Sequence, residues 1–144
     1  MSIEKSMNLK SIAMRPIFEG LTTVYLYADD EKEIVDGVTF LKGYGIDKIV
    51  IVGATGSKNQ LNFIKKNNIP VVVKQPYRFP QSTDSDPMET FEIAKKMVNQ
   101  GILVSIDPTG TTMARVSVRN LPFYAGSFSS FGIDKERILI KIAS

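Results

Sequence analysis

Asp107-Pro108-Thr109-Gly110 closes an apolar run near the end of the chain. A carboxylate at the C-terminal end of a parallel strand stands where barrel enzymes keep their reacting groups. The same four residues also read as a turn, because Asp and Pro both favour turn starts. Tyr27 and Lys74 sit at the ends of two other apolar runs. A tyrosine there can hydrogen-bond a ligand, or pack with its hydroxyl at the rim. A lysine there can bind an anion, act as a nucleophile if desolvated, or remain in solvent. Asp29 and Asp30 suit a helix cap better than a catalytic role.

Gly53, Gly56 and Ser57 form a further ligand-binding candidate. In Val52-Gly-Ala-Thr-Gly-Ser57, a Gly-x-x-Gly lies between an apolar run and a helical pattern. Backbone N–H groups and a helix N-terminus in that setting hold phosphate. The segment resembles the GATG turn of extended short-chain dehydrogenases, which implies a nucleotide or other anion as ligand. Three features weigh against it. Asn59 occupies the third glycine position, the turn follows the second strand rather than the first, and the next strand ends in Lys74 instead of an acidic residue.

Histidine and cysteine are both absent. Ser-His-Asp triads, Cys-His pairs, thiolate sites and histidine-based zinc centres are therefore excluded within this chain. No metal site and no cofactor are expected from its own residues. The 18 basic and 15 acidic residues are dispersed, with Lys65-Lys66 and Lys95-Lys96 as adjacent basic pairs on helical patterns. With no basic stripe interleaved with aromatics, nucleic acid is not an expected partner. The apolar runs, such as Ile49–Val52 and Val71–Val73, are too short to span a bilayer, so no membrane role is expected. Met1-Ser-Ile-Glu-Lys5 lacks the apolar stretch of a secretory signal, which leaves the cytoplasm as the default location.

The elements that must position these residues alternate along the chain. Helical spacing covers 7–19, 31–44, 58–67 and 88–99, with further helical patterns at 120–131 and 135–143. Strand patterns cover 22–28, 48–52, 70–74 and 102–106. Single helices between strands imply right-handed crossovers onto one parallel sheet. The 144 residues contain no linker or low-complexity segment, so residues 1–144 read as one α/β domain. Sequential strand order with every helix on one side makes half of a (β/α)8 barrel, whereas a reversal of order makes a doubly wound sheet. Periodicity leaves both open.

Longer motifs bear on that choice. Val71-Val-Val-Lys-Gln-Pro-Tyr-Arg-Phe-Pro80 with the acidic stretch to Pro87 resembles the strand-seven segment of imidazolonepropionase-like amidohydrolases. Ala94–Ile106 is similar to their last helix-Gly-strand step. Arg119-Asn-Leu-Pro-Phe-Tyr-Ala-Gly126, followed by Phe131-Gly-Ile-Asp134, resembles the segment after strand eight, and Val24–Asp29 matches the placement of strand five.

The resemblance implies strands five to eight of a TIM-type barrel, with four parallel strands alternating with helices. It implies a fragment of a larger hydrolase of non-peptide C–N bonds, such as those of cyclic amides. That family binds a zinc-type divalent metal. Its strand-five histidine falls nearest Tyr27, its strand-six histidine near Gly53, and its strand-eight aspartate on Asp107. Only the aspartate is retained, so the chain is expected to be inactive by itself. Inward-facing candidates are Tyr25, Tyr27, Ile49, Ile51, Leu103 and Ser105. A half-barrel with bare edges should associate, either as a homo-oligomer or with the missing half.

Overall fold

A computed structural model describes residues 9–74, 77, 86, 88–107 and 118–133 of the chain. Helix α1 (Leu9–Phe18) leads to strand β1 (Val24–Ala28), helix α2 (Glu31–Gly43) and strand β2 (Ile49–Gly53). Helix α3 (Leu61–Lys66), strand β3 (Val71–Lys74), helix α4 (Glu89–Asn99) and strand β4 (Val104–Asp107) follow. A 3-10 turn (Val118–Asn120) opens helix α5 (Leu121–Ser130). The helical pattern at 135–143 and the loop at 108–110 lie outside the described residues.

The sheet has the order β1-β2-β3-β4, with every neighbouring pair parallel. In register, Val24 pairs with Ile49, Ile51 with Val71, and Val71 with Val104. Laterally paired residues point to the same side of a sheet. One face therefore carries Leu26, Ala28, Ile49, Ile51, Val71, Val73, Val104 and Ile106. These residues join Ile34 and Val38 of α2, Leu61 and Ile64 of α3, Phe91 and Met97 of α4, and Phe128 of α5 in one apolar cluster. Sequential parallel strands with helices on a single face form the architecture of half a (β/α)8 barrel, and the doubly wound alternative is set aside.

The opposite, inner face carries Tyr25, Tyr27, Val50, Val52, Val72, Lys74, Leu103, Ser105 and Asp107. Tyr25, Tyr27, Leu103 and Ser105 are where the sequence reading puts them. Ile49 and Ile51 are not: they are 3% and 0% exposed beneath the helices, and Val50 and Val52 take the inner positions. A continuous apolar run satisfies either face, so only pairing with β1 and β3 resolves its parity.

Local chemistry explains the element ends. Asp30 caps α2 by accepting from Lys32 N at 2.8 Å, while Glu33 reaches back to Asp30 N at 3.4 Å, a capping box. Gly37 lies where α2 crosses β1, and a Cβ there would come within 2.8 Å of Leu26 Cδ2. An aromatic cluster fastens α5 to α4. The Phe91 ring lies 4.6 Å from Phe128, 4.9 Å from Phe131 and 5.2 Å from Tyr77. Tyr77 also meets Tyr124 and hydrogen-bonds Ser127.

Candidate functional site at the C-terminal rim of the sheet

The four strands are parallel, so their C-terminal ends gather at one rim. Tyr27 is the penultimate residue of β1, Lys74 the last of β3 and Asp107 the last of β4. All three lie on the inner face. Lys74 pairs in register with Asp107 on the neighbouring strand. Its ammonium also stands 5.1 Å from the centre of the Tyr27 ring, two strands away, with Val52 of β2 between them. A cation over a ring face is attracted by the ring quadrupole. Tyr27 is 70% exposed, so this ring is open to a ligand. The fold thus brings three of the candidate residues into one patch.

Asp107 belongs to β4 itself, which makes it a strand-end residue facing the inner side of the sheet. The strand starts two residues later than its apolar run suggests. Leu103 still contributes its carbonyl, accepting from Val71 N at 2.9 Å.

Gly53, Gly56 and Ser57 follow the end of β2 at the same rim, in their own bonding network. Ala54 N donates to Ala28 O at 2.8 Å, and Gly56 N donates to Asp29 O at 2.9 Å. Thr55 donates to Asp29 Oδ1 from its hydroxyl at 2.8 Å and from its N–H at 3.5 Å. Ser57 N donates to Ala54 O at 3.2 Å, and the fully buried Ser57 hydroxyl donates to the same oxygen at 2.6 Å. A phosphate cradle needs free amides aimed at the ligand. From Ala54 to Ser57 every amide already has a protein acceptor, and α3 begins only at Leu61.

Close backbone approach explains both glycines. A Cβ at Gly53, where φ is +114°, would lie 2.7 Å from Asp29 Oδ1. At Gly56 it would lie 2.7 Å from the backbone oxygen of Asp29. Ala54 itself takes a left-handed φ of 55°. Asp29 does not cap α2, a role Asp30 fills; instead it ties the β2 turn to the end of β1. Glu31 reinforces the tie by accepting from Asn59 Nδ2 at 2.7 Å. The sequence does not show that Thr55 meets Asp29 or that Asn59 meets Glu31, because polar residues 26 and 28 positions apart carry no local signal of contact.

No protein-family model matches the chain, and no curated protein does. Among solved structures, it is similar to an amidohydrolase from Thermotoga maritima MSB8, with a TM-score of 0.75 and 16% identity. The match covers 94% of this chain and 34% of that protein, so the chain spans about a third of its length. The chain has an amidohydrolase-like fold.

Within that fold, the donor set does not fit the divalent metal of the resembled hydrolases. The whole chain lacks imidazole and thiolate. At the ends of β1 and β2, Tyr27 offers a phenol and Gly53 no side chain at all. Asp107 is a single carboxylate, and its register partner on β3 is a lysine, Lys74, not a further ligand. Among the described residues no three carboxylates converge. Metal hydrolysis needs several converging ligands and an open position.

Proposed function

We propose that this chain is a ligand-binding half of an amidohydrolase-like barrel, and that it does not hydrolyse C–N bonds with its own residues. The observation that carries this reading is the rim patch of Tyr27, Lys74 and Asp107. It occupies the end of the sheet that barrel proteins use for substrates, with a lysine over an aromatic face and a carboxylate in register on the next strand. Such a patch suits a small ligand bearing a carboxylate or an amide carbonyl, held by Lys74 and stacked on Tyr27. Hydrolysis of cyclic amides belongs, in this reading, to a complete barrel that supplies the absent ligands. The segments 71–87 and 119–134 favour imidazolonepropionase-like proteins as the relatives.

The test is a metal and turnover assay. The purified chain, incubated with zinc and dialysed, should retain well under one metal per chain and show no hydrolysis of cyclic amides or imides above buffer. Stoichiometric metal with turnover that disappears in Asp107→Asn would overturn the proposal.

A further inference from the structure

We propose that the inner face of the sheet is the interface with a second copy of this chain, two half-barrels closing about a twofold axis into one eight-stranded barrel. The inference rests on the half-barrel reading and adds the identity of the missing half.

Strand arithmetic is the first support. Among the described residues the four strands are parallel and in sequential order, so β1 and β4 are the two edges. A twofold axis along the strand direction sets β4 of each copy beside the partner's β1, in the parallel sense of every other pair. Both edges then close at once, and the edge N–H and C=O groups gain partners. Eight strands also give a barrel whose interior side chains just fill it.

The second support is the contact between Lys74 and Tyr27. Barrel interiors are filled in layers of four side chains drawn from alternate strands. Lys74 of β3 against Tyr27 of β1, with β2 skipped, is two members of such a layer. A second copy supplies the other two, the partner's Tyr27 and the partner's Lys74. About the twofold axis β1 faces the partner's β1 across the barrel, and the neighbouring β2 carries only Val50 and Val52 inward, which leaves the tyrosines room.

Charge is the third. Among the described strand residues the inner face carries one cation, Lys74, and one carboxylate, Asp107, in register on neighbouring strands. Two copies enclose two of each. No net charge is buried, whereas an unbalanced partner would leave an uncompensated ion inside. The apolar surface that closure covers lies below the rim, with Tyr25 51% and Leu103 50% exposed in the single chain.

Sedimentation velocity across a concentration series tests the proposal, with an expected mass of twice 16.0 kDa. Tyr25→Glu and Leu103→Lys should shift the protein to monomer while its far-UV circular dichroism stays unchanged. A shear of 8 gives each half a step of about four residues, which sets Ser105 opposite the partner's Thr23. With no native cysteine in the chain, Thr23→Cys combined with Ser105→Cys should give a covalent dimer on oxidation. A folded monomer at every concentration overturns the inference, and so does a dimer indifferent to both inner-face variants and silent in the crosslink. The half-barrel reading fails separately, on metal-dependent turnover, which the mass measurement does not touch.

Discussion

Thr55 donates its hydroxyl to Asp29 Oδ1 at 2.8 Å, joining the turn after β2 to the end of β1. The hydroxyl belongs to a residue only 4% exposed. The same carboxylate oxygen also accepts the Thr55 N–H, and the Asp29 carbonyl accepts from Gly56. The turn that most resembles a phosphate cradle is therefore a clamp between adjacent strands. Removing the hydroxyl in Thr55→Val should cost about 1 kcal/mol, and Asp29→Ala about 1–2 kcal/mol. Urea unfolding of both singles and the double variant checks this. The two losses should not add, and strict additivity would mean that the bond contributes nothing.

Gly56→Ala should destabilise by about 1–3 kcal/mol, because its Cβ would press to 2.7 Å against a backbone oxygen that cannot move aside. Gly43, at the end of α2, meets nothing within 4 Å. Gly43→Ala should be neutral or stabilise by up to about 1 kcal/mol through the unfolded chain. Opposite movements of the melting temperature in the two variants are the expected result.

Nucleotides, NADP and inorganic phosphate should leave the melting temperature unchanged, since the amides from Ala54 to Ser57 already donate within the protein. A differential scanning fluorimetry screen reads this directly. A concentration-dependent rise that is lost in Ser57→Ala would place a ligand at the turn after all.

Phe91 is fully buried at the centre of the aromatic cluster. Phe91→Ala should cost about 3–5 kcal/mol, as large buried aromatics do when truncated. The loss should be felt first in α5, whose Phe128 ring packs tilted against it at 4.6 Å. Hydrogen exchange should accelerate across 121–130 before it does in β2 and β3. Uniform acceleration would contradict this order.

Lys74→Met keeps the length of the stem and removes the cation beside the Tyr27 ring. Because the pair is partly in water, stability should change by less than about 1 kcal/mol. Binding of a carboxylate-bearing ligand at the rim, measured by calorimetry, should instead fall strongly. Retained affinity would remove Lys74 from the site.

The sequence by itself determined the alternation of strands and helices, because apolar runs and helical spacing report burial locally, residue by residue. The cap of α2 is equally local, narrowed by the sequence to Asp29 or Asp30, and the structure chose Asp30 with Glu33. Composition alone determined that no imidazole or thiolate serves this chain. Tertiary structure decided what such signals cannot carry. The run from Ile49 to Val52 is apolar on both faces, so its parity came from pairing with β1 and β3. Strand order and the one-sided placement of helices chose the half-barrel over the doubly wound sheet. The meaning of Gly53 and Gly56 emerged only when the fold set the Ala28 and Asp29 carbonyls against them. Lys74 met Tyr27 for the same reason: two residues 47 positions apart become neighbours only once parallel strands bring their C-terminal ends to one rim.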